Sequence, residues 1–492
     1  MLKVIIAHQF PLSPNGRTTL NEKFLYYVSL MDLKIMIKDD VIEELRGIVG
    51  SDNVLTSYED LYCYSRDASW YSGMPEVVVR PHSTEEVSKV LKLANSLKIP
   101  VVPQGGRTNL TGGAIPIRGG IVIDMTGMNR IIEINKMNMI CIVEAGVVLG
   151  VLEKELAKHG LFWPPDPAST DSATIGGILA EGAGGLRGAK YGTTRDWVLG
   201  LEVVLPTGDV INTGSATLKW STGYDLTRLF IRSEGTLGVI TKAILKLRPL
   251  PEAIARMTAF FNRLEDVGVA VGKIWEAGVV PLIMELLDRG AIRSVNSYLN
   301  LGLPDVEAMV IIDVDGVKGE VEKQASRVKK ILMEAGAFDV KTASTKEEMD
   351  KLYLARRSAY PSLFRVFKKT AIPDDTCVPI SKLPEALRRA KEISDKWGVY
   401  TIFIGHIGDG NMHPVFCVDV ADPKEVDKAL KCYEEICRMV LSLGGTIAAE
   451  HGIGIVKSKL IEEEYGSKAI EIMKAIKRVF DPNNIMNPDK WV

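Results

Sequence analysis

Six histidines occur in this 492-residue chain, and three of them fall between positions 406 and 451. Two lie in G-H-I-G-D-G-N-M-H-P, residues 405–414, and the third in A-A-E-H-G-I-G, residues 448–454. Asp409-Gly410 is a strong two-residue hairpin signal, and strand-like residues flank it on both sides. A hairpin turning there pairs Gly408 with Asn411, Ile407 with Met412 and His406 with His413. Directly opposed Cβ atoms lie about 4.5–5.5 Å apart, close enough for two imidazoles to hold one metal ion. The alternative is a pair of hydrogen-bonded core or surface histidines. Glu450 is the candidate third, anionic ligand. His451, with an ordinary pKa of about 6.5, is a candidate base. Neighbours in a regular strand point to opposite faces, so the chain must bend for Glu450 and His451 to address one site. Gly452 permits that bend. The alternative for this pair is a solvated loop.

A second kind of chemistry lies in the glycines, of which there are 44. The run P-Q-G-G-R-T-N-L-T-G-G, residues 103–113, lets successive N–H groups converge on an anion such as a pyrophosphate. A plain glycine turn is the alternative. A second run spans Gly176-Gly177, Gly182, Gly184, Gly185, Gly188 and Gly192. Its G-x-G-x-x-x-G misses the dinucleotide fingerprint by one residue and follows no clear strand, so a Rossmann site is unsupported. No Walker A sequence is present. Close backbone approach to a large planar ligand remains open.

Elements must position these groups. Residues 76–80 read as a buried strand, and S-T-E-E from Ser83 reads as a capping box with Glu86. Val87, Val90, Leu91, Ala94 and Leu97 then follow at helical spacing, and residues 99–103 return as a strand that ends at the first glycine loop. Residues 121–125 and 140–144 read as strands and 149–159 as a helix. Residues 164–192 show little apolar periodicity, which marks a functional or disordered stretch. Strands resume at 198–205, 210–213 and 239–248, with a turn at Thr207-Gly208-Asp209. Composition changes near Pro249 and Pro251, where we place a boundary; residues 252–450 alternate longer helices with strands. Residues 1–30 carry little pattern, and a second Met follows at Met31; they read as a poorly ordered extension or as an upstream start assigned in error.

Composition sets bounds. The length suggests two or three domains. A net charge of −2, from 60 basic and 62 acidic residues, gives no footprint for nucleic acid. The six cysteines are scattered, with no C-x-x-C pair and no ferredoxin-type run, so they read as small core residues in a reducing compartment. No apolar stretch reaches the ~20 residues of a membrane helix. We expect a cytoplasmic protein, with peripheral attachment at the inner face of a membrane left open.

Several separate motifs, in order, carry a family resemblance. P-Q-G-G-R-T-N-L-T-G-G, P-P-D-P-A-S-T-D-S-A-T-I-G-G, Y-G-T-T-R-D and G-T-L-G-V-I resemble the FAD domain of vanillyl-alcohol-oxidase-type flavoproteins. More narrowly, the chain from about residue 50 resembles the group of glycolate oxidase flavin subunits, D-lactate dehydrogenases and D-2-hydroxyglutarate dehydrogenases. The resemblance implies an α+β fold: a two-lobed FAD-binding domain over 31–251, a cap domain with an antiparallel sheet over 252–450, and residues 451–492 returning to the FAD domain. It implies FAD contacts from Gly105, Gly106, Arg107, Thr108 and Asn109 at the pyrophosphate. Along the rest of the cofactor it implies Pro165, Asp166, Ser172, Thr174, Gly177, Gly184, Tyr191, Gly192, Gly238 and Ile240. Some relatives attach FAD through a His after the paired glycines; Arg107 stands there, so non-covalent FAD is expected.

The resemblance also implies a divalent metal on His406, His413 and Glu450, and His451 as general base. Zinc is the first choice, with Mn²⁺ or Fe²⁺ as alternatives. Arg356, in L-Y-L-A-R-R, matches a position that grips the substrate carboxylate through paired hydrogen bonds. Arg357 beside it reads as a solvated helix charge. Asn487, in N-P-D-K, matches a position near substrate and flavin. Pro373 and Val415 stand where the hydroxyglutarate branch has Lys and Asn, which favours a small substrate such as lactate or glycolate. The implied reaction is oxidation of a D-2-hydroxy acid: metal-bound hydroxyl, proton removal by His451, hydride transfer to FAD. Electrons then pass to a quinone, cytochrome, flavoprotein or iron–sulfur partner; a homodimer is left open. Three rivals stand beside this reading: a metal-dependent hydrolase or lyase, a non-catalytic flavoprotein subunit, and a nicotinamide dehydrogenase.

Overall fold

The structure, a computed structural model, describes residues 37–343, 345–366 and 370–492. The extension expected over residues 1–30 lies outside them. Three sheets organise the described chain. The first runs Val54–Leu55, Val77–Val79, Ile121–Asp124, Val101–Gln104 in spatial order. Val77–Val79 and Val101–Gln104 both pair parallel to Ile121–Asp124, and the crossover between them is the helix Thr84–Leu97. Parallel neighbours need such a crossover. Ser83 caps the helix by accepting from the Glu86 amide at 3.2 Å, worth about 1 kcal/mol. The expected reciprocal bond does not form: the Glu86 carboxylate accepts from the His82 amide at 2.7 Å instead. Val87, Val90, Leu91 and Ala94 are buried in the core beneath the sheet, while Leu97 is exposed.

The second sheet is antiparallel, in the order Ile131–Asn135, Ile140–Glu144, Val239–Lys246, Val198–Val204, Val210–Gly214. The stretch 164–192, read as unpatterned, holds two short helices, Ile175–Glu181 and Gly188–Tyr191. Thr174 caps the first, accepting from Gly177 at 3.4 Å. The helix leans on the end of Ile140–Glu144, where the Gly176 amide donates to Ala145 O at 2.7 Å. A Cβ on Gly176 would sit 2.7 Å from that of Ala145, so only glycine allows the approach.

The third sheet is antiparallel along Asp339–Thr342, Ala253–Phe261, Ala308–Gly316, Ile283–Asp288, Thr401–His406, Asn411–Val418 and Thr370–Pro373. Thr376–Cys377 adds to Asn411–Val418. Helices Leu264–Glu276, Glu320–Glu334, Leu383–Trp397 and Pro423–Ser442 bury their apolar stripes in one core against it. The chain then returns to the first sheet: the Val101 amide donates to Ile485 O at 2.7 Å, and the Asn487 amide to Val101 O at 2.7 Å. Lys477 is buried and bonds Thr236 O and Met486 O, both at 2.7 Å. All six cysteines are free thiols; four are buried, Cys377 is partly so, and Cys63 is exposed, outside the expected core setting. Among the described residues no helix is long and apolar enough to cross a membrane.

Candidate active site

The hairpin register differs from the expected one by two residues. Ile404, not His406, stands opposite His413. The turn is a 3₁₀ segment, Ile407–Asp409, closed by Gly410 at φ 88°; it needs more residues than a two-residue turn, so the strands pair two positions further apart. A shift of two preserves the face. The two imidazoles therefore still meet, with ring centroids 5.0 Å apart. His406 stands opposite Glu285 of Ile283–Asp288.

Each ring has its outer nitrogen committed. His406 Nδ1 lies 2.8 and 2.9 Å from the Glu285 carboxylate oxygens. His413 Nδ1 lies 3.0 Å from Asp374 O; a carbonyl only accepts, so this Nδ1 carries the proton. The inner nitrogens face one atom: His406 Nε2 and His413 Nε2 lie 3.2 and 3.3 Å from Glu450 Oε1. Burial, with His406 and His451 nearby, pushes the His413 pKa down, so its Nε2 presents a lone pair to a carboxylate. Two acceptors this close call for a cation. Ligands at about 2.0–2.1 Å from a tetrahedral metal lie roughly 3.3 Å apart, and the protonated outer nitrogens are the usual second support of a metal-bound His. The donor set fits a divalent cation, and one candidate ligand atom from each of the three residues lies within 4.8 Å of the others. Burial works against the charge of Glu450, yet His406, His413 and His451 hold its carboxyl well below the usual range.

Gly184 lies against this cluster: a Cβ there would sit 2.7 Å from Glu450 Oε2. Gly184→Ala is expected to push that carboxylate off the histidines, cutting bound metal at least tenfold in elemental analysis while leaving bound flavin unchanged.

Glu450 and His451 both face the cavity because residues 449–451 form no strand and Gly452 turns at φ 76°. His451 stacks on His413 at 5.0 Å and 14°. Its Nδ1 is 3.6 Å from Asp375 Oδ1, a charge contact too long for a hydrogen bond. Burial lowers the His451 pKa, but Asp375 and Glu450 outweigh it and the net direction is up. Arg356 is buried and lines the same cavity. Its Nε donates to Glu285 Oε2 at 2.6 Å. Arg357, which also lines it, pairs with Asp171 at 2.9 Å.

The cavity has a volume of about 560 Å³. Gly105, Gly106, Arg107, Thr108 and Asn109 line it, with Ser172, Thr174, Gly177, Gly238 and Ile240 opposite. Among the described residues, the amides of residues 106–110 donate to no protein acceptor, as expected of a loop that cradles an anion. Side chains on Gly105 or Gly106 would collide with Thr174 Oγ1 and Ser172 O. These features fit a dinucleotide pyrophosphate. Pro165, Asp166, Gly184, Tyr191 and Gly192 are not among the lining residues. Asp166 instead accepts from the Arg187 amide at 3.0 Å, Tyr191 packs edge-on against Phe162 and Trp197, and Gly192 leaves room for Asp196. Asn487 is buried, donating to Gly113 O and Glu234 O at 2.7 Å each.

Sequence reasoning passed over Glu285, Asp375, Glu234 and Lys457. Glu285 left a signal, a lone acid inside the apolar strand I-M-E-L-L-D. Lys457 left none: only the structure shows it buried, beside Asp374 and Asp375.

Comparison with known proteins agrees with this architecture. Residues 75–214 match the FAD binding domain family, and residues 250–491 match the C-terminal domain of FAD linked oxidases. Solved structures of similar fold include p-cresol methylhydroxylase with substrate bound, at TM-score 0.77 and 20% identity over 93% of this chain and 98% of that one. The 4-ethylphenol oxidase of Gulosibacter chungangensis follows at TM-score 0.75 and 20% identity, over 98% of each chain. The fold is therefore that of the vanillyl-alcohol-oxidase-type flavoproteins, α+β in class. Among curated proteins, the glycolate oxidase subunit GlcD of Bacillus subtilis is 40% identical, over 92% of this chain and 97% of its own. The mitochondrial D-lactate dehydrogenase [cytochrome] of Arabidopsis thaliana is 35% identical, over 93% of this chain and 80% of its own. The chain belongs to the FAD-linked oxidase family, and is an FAD-linked oxidoreductase of the glycolate oxidase and D-lactate dehydrogenase type. A metal hydrolase without flavin and a nicotinamide dehydrogenase are thereby set aside.

Proposed function

We propose that this protein oxidises a small D-2-hydroxy acid, D-lactate or glycolate, to the 2-oxo acid. The observation that carries the reading is convergence: Arg356, the His406–His413–Glu450 cluster and His451 meet at the cavity that the glycine loop enters. Arg356, which lines the cavity with its Nε anchored by Glu285, holds the substrate carboxylate. His406, His413 and Glu450 would hold a divalent metal, zinc being the first choice, and such an ion would supply Lewis acidity toward the substrate hydroxyl. His451 takes the hydroxyl proton; Asp375 beside its ring stabilises the resulting imidazolium. FAD held non-covalently by the glycine loop would supply the acceptor for the hydride that leaves C2 once the O–H proton has gone to His451. The cofactor contacts proposed for residues 105–109 are supported by their place along the cavity and by their unspent amides.

A small substrate is favoured because Val415 is fully buried in an apolar cluster, with Tyr360, a cavity-lining residue, packed against it. The test is a substrate panel of D-lactate, glycolate and D-2-hydroxyglutarate, both enantiomers where chiral, with a dye acceptor. D-lactate or glycolate is expected to give the highest kcat/KM; a preference for hydroxyglutarate, or for L-enantiomers, defeats the proposal. A second reading, a flavin subunit that works inside a larger complex, is favoured by the name of the 40% identical relative, a glycolate oxidase subunit. Turnover by the isolated chain separates the two.

Glu285 deserves its own variant, because one carboxylate serves both Arg356 and His406. Glu285→Gln is expected to raise KM and lower kcat together, each by about tenfold or more, since loss of a buried charged partner costs roughly 3–5 kcal/mol. Steady-state kinetics on the flavin-loaded variant checks it.

A further inference from the structure

The segment that carries Glu450 and His451 has no helix or strand of its own, yet its amides are almost all spent. Asp375 Oδ2 accepts from the amides of Ala449 and Glu450 at 2.6 Å each and from that of His451 at 3.2 Å. Glu234 accepts from Ile453 and Gly454, one per oxygen, at 2.8 Å each. Thr111 O takes Ile455 and Val456 at 2.9 and 3.3 Å. The carbonyl of His451 is tied as well, accepting from Thr111 Oγ1 at 3.1 Å. The three acceptors come from distant parts of the chain. Asp375 lies beside the third sheet, Glu234 lies between the first two and lines the cavity, and Thr111 belongs to the glycine loop.

Both carboxylates are held at a cost. Glu234 is buried and sits at φ 50°, a conformation disfavoured for a side chain of its size. Its own amide and carbonyl are fixed by Ala180 O at 2.9 Å and Asn487 Nδ2 at 2.7 Å. Asp375 is fully buried and is balanced by Lys457, whose Nζ bonds its carboxylate and also reaches Asp375 O at 2.9 Å and Ile447 O at 2.7 Å. Gly452 sits between the two grips, where a Cβ would lie 3.1 Å from Glu234 Oε1.

We propose that Asp375 and Glu234 are positioning residues that clamp residues 449–454 from opposite sides and so set where Glu450 and His451 point. The inference rests on the role just proposed for Glu450 and His451. Glu234 spends one oxygen on each of two N–H groups, which a side-chain amide cannot do because its NH₂ is a second donor; Asp375 gathers three N–H groups on Oδ2 alone while Oδ1 faces Lys457, so its grip is lost only when that oxygen is removed. The clamp also joins the flavin loop to the catalytic turn, since Thr111 and Asn109 lie on that loop.

The test uses the flavin-loaded full chain and two variants, Glu234→Gln and Asp375→Ala. Lys457 keeps a countercharge in Asp375→Ala, since Asp374 Oδ1 stands 3.0 Å from its Nζ, so an orphaned cation does not confuse the result. In both variants amide hydrogen exchange at residues 449–454 is expected to quicken at least tenfold, with the third sheet unchanged. Bound flavin is retained, and kcat falls at least tenfold with KM within threefold. Glu234→Asp, with a shorter arm, recovers neither. Exchange at wild-type rates in both variants overturns the clamp whatever the activity; faster exchange with wild-type kcat leaves the clamp standing and removes instead the roles given to Glu450 and His451.

Discussion

His451→Ala lowers kcat by about 10²–10⁴-fold, the usual contribution of a positioned general base, while the purified protein keeps its flavin absorbance. Two observations set this expectation. His451 stands beside Glu450 and lines the cavity, and Asp375 and Glu450 hold its pKa above the ordinary histidine value against the pull of burial. A base of raised pKa is unprotonated only at higher pH. Activity should therefore rise with pH through that raised value, and the acid limb of kcat/KM should vanish in His451→Ala. FAD contacts should survive, since the imidazole is not part of the glycine loop. Wild-type turnover in the variant removes the assignment.

Chelation should abolish turnover as completely, and a divalent ion should restore it. The His413 proton is fixed on Nδ1 by Asp374 O, so the inner lone pair is ready for a metal. His406 in the metal-free protein behaves differently. Burial disfavours its charge, but Glu285 and Glu450 overcome this and raise its pKa well above the ordinary value. Protons therefore compete with metal at His406, and metal affinity falls as pH drops through that raised pKa. Metal content measured after dialysis across a pH series should decline on the acid side, with activity declining in parallel. Full activity after chelation, with no metal by elemental analysis, ends the metal assignment.

The sequence motifs revealed the chemistry better than the geometry. H-x₆-H around Asp409-Gly410 announced two imidazoles on one face, and parity protected that reading when the register moved by two. The helices within residues 164–192 were hidden because glycine and alanine carry little apolar period; Thr174 as a cap was the available cue. Gly184 and Gly192 were legible as glycines but not in their purpose, which is to admit Glu450 and Asp196. Glu285, Asp375 and Glu234 escaped because each acts through a partner far away in sequence: Glu285 and His406 are 121 positions apart, Glu234 and Gly454 220. No local period records such a bond.

The return of residues 485–487 to Val101 reaches beyond the finished molecule. Asn487 and Gly113 lie 374 positions apart, and the amide of Val101 finds its acceptor at Ile485. During ribosomal synthesis, at about 5–20 residues per second, the border of the first sheet waits tens of seconds for that seam. Nascent chains in the interval expose an unpaired strand border, the kind of template on which neighbouring polypeptides aggregate. Yield in a recombinant host should thus depend on cooling and chaperone supply more than on the flavin available.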